Sequence, residues 1–214
     1  MIEAVKFGSE LYRTSMPKDV LSWDARSNNE YLLAGTGSLI LNAVSALRTI
    51  EQTKPDLAAN ISLAKMPKGP VQRLGLEHVM GNYVIWKFAK NQETAKQFLV
   101  DLAVGYREAF VQSQSYNFPS YPGSVPDLNT LIRSDKTSKP PDKLAVMADA
   151  PTWSTNVGHP GTTNAAVDDV FYKYLIPQMF AQAATGRMTA EESVKATETQ
   201  MKTIFDSWRS KNKI

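Results

Sequence analysis

Apolar positions recur at helical spacing from the first residues of the chain. Ala4, Phe7, Gly8 and Leu11, flanked by Val5 and Tyr12, predict a helix already under way at the start. The stretch YLLAGTGSLILN (31–42) reads as a helix end, a glycine turn and a buried strand from Ser38 to Asn42. A helical connection around 46–54 follows. NISLAKMPKGP (60–70) predicts a second strand running into a Pro/Gly loop, and GNYVIWKFAKN (81–91), rich in β-branched and aromatic residues, a third. Asn91 as N-cap and Glu93 in the first turn open a helix with Ala95, Phe98, Leu99, Leu102 and Ala103 on one face. Prolines at 119, 122 and 126 make 116–128 a loop. One helical segment is predicted from about Asn164 to Ala184, stopped by Gly186. Thr189 and Glu192 then form a capping box for a last helix, which turns Val194, Thr197, Met201, Ile204, Phe205 and Trp208 inward. The pattern predicts an α/β fold in which helices outnumber strands.

Composition narrows the function classes. The chain has 214 residues, 43% of them hydrophobic, enough for a substantial core in one or two domains. Net charge is only +3, and the basic residues are scattered among acidic ones. The high isoelectric point therefore carries no nucleic-acid signature, because no basic run or aromatic–basic repeat accompanies it. The lack of cysteine removes disulfides, thiol catalysis and thiolate metal sites; it identifies no compartment and is compatible with an oxidising periplasm or exterior. MIEAVKFGSELYRTS does not read as a secretory signal, and no segment approaches the roughly 20 apolar residues that span a bilayer. A chain that opens inside a helix without a capping residue suggests that further sequence precedes it.

Enzymatic signatures are sparse. GxSxG, HExxH, P-loop and GxGxxG patterns are all absent. Glu77–His78 offers an acid/base pair of the kind a hydrolase uses, set against a structural role for His78. Two histidines 81 positions apart give no metal-ligand spacing. Asp168–Asp169 reads as an acidic first turn, and GTG at 35–37 as a turn before a strand. Neither a catalytic residue nor a metal ligand nor a cofactor is assigned. The stretch DAPTWSTNVGHPGTTN (149–164) is more informative, since it spends a tryptophan, a histidine and a Pro–Gly step on one loop before a helix.

The succession AVKFGSELYRTSMPKDVLSWD, NNEYLLAGTGSLILN, ISLAKMPKGP, NYVIWKFAKNQETAKQFLVDL, PTWSTNVGHPG and GRMTAEESVKATETQMKTIFDSW resembles the C-terminal half of the extracellular solute-binding proteins of ABC importers. The group is the carbohydrate-type family 1, which includes maltose-binding-type proteins. Leu11–Tyr12, Pro17, Leu33–Gly35, Leu39 and Asn42 match one family pattern, and Asn91 through Leu102 a second. Gly186, Thr189, Glu191, Glu192 and Val194 match the opening of the family's last helix. The resemblance implies a periplasmic-binding-protein-like II fold, two-lobed with an interlobe cleft, whose first part lies upstream of this chain. It divides the chain into 1–83 and 133–214 in the second lobe and 84–132 in the first.

The resemblance further implies capture of a sugar or similar polar solute by hinge closure, with no bond made or broken. Partners would be the solute, a carbohydrate in the favoured case, and ABC permease subunits in the membrane, without nucleic acid. The compartment would be the periplasm or exterior, with membrane tethering one form of it. Trp153 is then a candidate cleft aromatic, the alternative being a ring packed on a lobe surface. Gly158 admits close backbone approach, and His159 and Asn164 offer hydrogen bonds. Asn42, Val44 and Ser45 lie at a strand exit, where α/β clefts collect ligands. Glu77, His78, Asn82 and Tyr121 complete the ligand candidates. Trp23, Trp86 and Trp208 are assigned to packing. A free-standing interaction module without transport activity is the second reading, and a hydrolase the third.

Overall fold

The computed structural model describes residues 1–76 and 81–214. Ten α-helices occur among them: α1 (Ile2–Ser15), α2 (Ser27–Leu33), α3 (Ser45–Thr53), α4 (Pro55–Ala59), α5 (Gln92–Val104), α6 (Tyr106–Gln112), α7 (Leu128–Arg133), α8 (Ala165–Tyr172), α9 (Leu175–Ala184) and α10 (Ala190–Ser210). Short 3-10 turns fill several connections, as at Lys143–Met147 and Ala150–Thr152. Among the described residues the named strands are one parallel two-residue pair, β1 (Gly75–Leu76) and β2 (Ser154–Thr155), with Gly75 opposite Ser154, and Lys68 and Arg73 form an isolated antiparallel bridge. Helix accounts for 55% of the described residues, so the protein is mostly helical.

This corrects the predicted α/β class and the two-lobed, cleft-forming architecture that the resemblance implied. None of the three expected strands forms. Ser38 to Asn42 is irregular, with Leu39 and Leu41 exposed, and the described parts of 60–70 and 81–91 hold no named strand. The physical reason is pairing. A β-prone run gains little from its own residues and is stable only with neighbouring strands and a buried face. Where no partner strand lies alongside, propensity alone leaves an extended, solvent-facing chain. Trp86, assigned to packing on sequence, is 64% exposed for the same reason.

The chain divides into two compact units. The first joins residues 1–24 to 156–214, so that α1 packs with α9 and α10, and α8 packs with the same two helices. Val5, Met179 and Ala183 are buried together, with Phe180 and Val194 against them. A second cluster sets Ala166, Val170 and Leu175 against Ile204 of α10, backed by Met201, Phe205 and Trp208. Gly8 makes the α1–α9 approach possible, because a Cβ there would lie 2.7 Å from the Phe180 ring. Arg13 donates to the carbonyls of Ala183 and Ala184, at 2.9 and 3.2 Å, and so places a cation on the orphan carbonyls that end α9. Gly186 follows at φ +74°, and the capping box forms as the sequence indicates: Glu192 N–H donates to Thr189 Oγ1, and Thr189 N–H to Glu192 Oε2.

The expected single helix over 164–184 is two helices. Pro177 has no N–H for the Lys173 carbonyl and its ring would clash with that carbonyl in a continuous helix. The chain therefore ends α8 at Tyr172 and turns through Tyr174 at φ +54° before α9 begins.

The second unit spans 25–155. Its core joins Val44, Phe110, Val125, Ile132 and Leu144, with Phe118 edge-on to Phe110 at 5.4 Å between ring centres. A polar knot accompanies this core. Arg48 of α3 pairs with Glu51 at 2.8 Å and with Asp135, and Ser138 Oγ donates to Glu51 at 2.6 Å. The three charged side chains expose only 7%, 2% and 8% of their surface. Removing one member of such a buried set strands the others without water. Arg48→Met should therefore destabilise this unit by about 3–5 kcal/mol, measured as a lowered denaturant midpoint. A loss under about 1 kcal/mol, typical of exposed pairs, would show the knot to be solvated. In the first unit, Thr189→Ala should cost about 1 kcal/mol, read as a small fall in Tm at unchanged helix content.

Candidate functional site

The best-built polar constellation around a predicted site residue surrounds Trp153. The segment DAPTW turns once in 3-10 form, and Trp153 N–H donates to the Ala150 carbonyl at 3.1 Å. That turn brings the indole back over Asp149, to whose carboxylate Nε1–H donates at 3.1 Å. Lys65 pairs with the same carboxylate, and its ammonium stands 6.0 Å from the centre of the Trp153 ring. Below the ring lies Gly75, whose N–H donates to the Trp153 carbonyl at 2.7 Å as the β1–β2 pair begins. A Cβ at Gly75 would stand 3.0 and 3.2 Å from two ring carbons, so glycine lets the indole lie against backbone. The result is a half-buried indole with fixed orientation, an anion at one edge and a cation beside it. Such a group can stack on the apolar face of a small molecule while the carboxylate accepts, and the ammonium donates, hydrogen bonds.

Electrostatics agree with this geometry. The hydrogen bond from Lys65, followed by that from Trp153, holds the Asp149 carboxyl below its ordinary value against a smaller opposing effect of desolvation. A lowered folded-state value means that the contact contributes above the unfolded pKa and is lost as pH falls through the folded one.

The other predicted residues are placed as follows. Asn42 is exposed, donates to Asn29 and accepts from the Ala43 N–H at 2.7 Å. Val44 is buried against Phe110 and its neighbours, so packing occupies its side chain, while Ser45 is half-buried at the first residue of α3. Asn82 is exposed on an irregular segment. Tyr121, 72% exposed, lines a shallow groove of about 480 Å³ with Val100, Ala103, Val104, Gly123 and Ser124. Gly158, His159 and Asn164 belong to the first unit. Gly158 needs its glycine, at φ +102°, and His159 is exposed. Asn164 caps α8, its Oδ1 accepting from the N–H groups of Ala166 and Val167 at 3.0 and 3.1 Å. Glu77 and His78 lie outside the described residues. Among the described residues, no three His, Asp or Glu side chains gather as a metal site.

Trp208, assigned to packing, lies against the cluster of Ala166, Val170, Leu175 and Ile204 and donates its indole N–H to Asp169 at 3.2 Å. Sequence reasoning missed Lys65, Gly75 and Asp149. Asp149 stands four residues before Trp153 in a Pro-containing turn, a local signal that could have found it. Lys65 carried no such signal, because it reaches the site from 84 residues away.

No protein-family model matches the chain, and no curated protein is significantly similar to it.

The indole N–H resonance of Trp153 should shift as Asp149 protonates, with a midpoint below about 3.9, the ordinary aspartate value. Asp149→Asn should abolish that titration. A midpoint at or above the ordinary value, measured by proton–nitrogen correlation spectra, would show that Asp149 does not hold the indole in solution.

Proposed function

We propose that the chain is a solute-capturing component of an importer and holds a small polar organic solute, a carbohydrate in the favoured case, against Trp153. The observation that carries the reading is the fixed, half-open indole with Asp149 and Lys65 at its margin. Sugars present apolar C–H faces beside hydroxyls that both donate and accept, and this margin offers one acceptor and one donor. The ordered motif succession resembling family 1 solute-binding proteins supports the same class. On this reading the protein works outside the cytoplasmic membrane, free or tethered, and delivers its solute to permease subunits. The chemistry required is binding alone. The second reading, an interaction module, is favoured by a different observation, the exposed apolar surface of residues 83–104.

Solute binding by the 214-residue chain should be saturable and weak, with a Kd of about 1 mM, and should move the Trp153 indole resonance. A panel of mono- and disaccharides, with polyamines as the charged alternative, supplies the ligands. Trp153→Ala should weaken binding by roughly 1–3 kcal/mol while the melting point of the unliganded protein barely moves. A large loss of stability with unchanged affinity would make Trp153 a packing residue. A panel without a binder would overturn the solute reading.

A further inference from the structure

The second unit leaves an unusual amount of apolar side chain in water. In the irregular segment before α5, Tyr83, Val84, Trp86 and Phe88 are between 64% and 82% exposed, and the last two stack at 5.6 Å between ring centres. The segment turns at Trp86, where Ala89 N–H donates to its carbonyl, and Gln92 ties the start of α5 back to the Lys87 carbonyl at 2.7 Å. The helix continues the pattern. Ala95, Leu99 and Leu102 are half-buried on one side, while Val100 and Val104 point the opposite way and Phe98 lies on a flank. No residue of α5 is buried. A helix that is apolar on opposing sides belongs inside a larger assembly, covered on both. Val104 then meets Tyr121 across the shallow groove.

Magnitude and charge together select the cover. Summed residue by residue, the exposed rings and valines from Tyr83 to Val104, with Tyr121, amount to on the order of 1,000 Å² of apolar side chain in water, where a monomer's apolar patch usually measures a few hundred. A stable interface needs about 800 Å² from each partner. That much apolar side chain is enough for one side of an interface, and a two-fold axis would supply the same residues on the other. The intervening charges are Lys87, Lys90 and Lys96 against Glu93 and Asp101, with Glu93 already bonded to Lys96 at 2.6 Å. That near-balance lets two like surfaces meet without strong repulsion, whereas an acidic partner or an anionic membrane would select a basic rim.

We infer that this chain self-associates into a symmetric dimer through the apolar face formed by residues 83–88, the outward side of α5 and Tyr121. Sedimentation equilibrium of the 214-residue chain should show a species of twice its 23.7 kDa, predominant at about 100 µM. Val104→Glu and Phe88→Ser alter exposed side chains, so each should leave the circular dichroism spectrum unchanged while raising the dimer Kd about 30-fold or more. A monomer across the concentration range, an open-ended series of larger species, or a dimer indifferent to both substitutions would overturn the inference. Flotation with neutral and anionic phospholipid vesicles forms the second arm. Vesicle binding by a chain that stays monomeric would assign the face to lipid instead.

Discussion

Arg48 sets the condition on which the second unit depends. Its guanidinium, buried beside the apolar core, meets Glu51 one turn along α3 and Asp135 after α7, while Ser138 bonds both carboxylates. Two carboxylates against one guanidinium leave a negative excess. Lys143 stands near it, its pKa lowered by burial and raised in part by Glu51, and it donates to the Ala58 carbonyl. These bonds span more than 80 residues of a unit whose connections are largely irregular. Apolar packing is tolerant of shape, but a buried ion set is not, because each member needs its partner in place. The knot fixes which stretch of 133–147 lies against α3, and the core of Val44, Ile132 and Leu144 closes around that choice.

The first unit was largely legible because its determinants are local. The capping box at Thr189 and Glu192, the glycine at 186 and the inward stripe ending at Trp208 all operate within a few residues of where they are written. The break at Tyr174 was equally legible in principle, since Pro177 dictates it, but apolar periodicity across 164–184 masked the signal. Strand content failed for the opposite reason. Runs such as SLILN and NYVIW carry strong β propensity, yet a strand is a relation between segments, and propensity describes only one member.

The candidate site divides along the same line. Trp153 was legible as an aromatic spent on a Pro-containing loop, but its orientation comes from Asp149, Gly75 and Lys65. Asn164 illustrates how one residue type serves two ends. The side chain that could hydrogen-bond a solute is the side chain that satisfies two orphan donors of α8. Val44 likewise sat at a predicted strand exit, where a ligand role follows from position, but its burial against Phe110 turns it to packing.

A comparison of two helices shows what distinguishes a finished surface from one that awaits a cover. In α10, Ile204 and Thr197 are buried, Met201 and Trp208 pack beside the first, and Lys202 pairs with Glu198 on the outer side. Its apolar residues gather on one side, and the unit that contains it packs against that side. In α5 the same residue classes are distributed around the axis, and the polar pairs, Lys96 with Glu93 and Gln97 with Asp101, stand beside apolar neighbours that remain in water. No rotation of α5 about its own axis would bury Val100, Val104 and Leu99 against a single face. The exposure is thus written in the order of residues and is independent of how the helix is oriented. The preceding YVIWKF segment repeats the condition in irregular form, since Tyr83, Val84, Trp86 and Phe88 all stand in solvent. Two neighbouring elements of different geometry thus share one deficit, apolar side chains left in water at a free-energy cost that burial would remove.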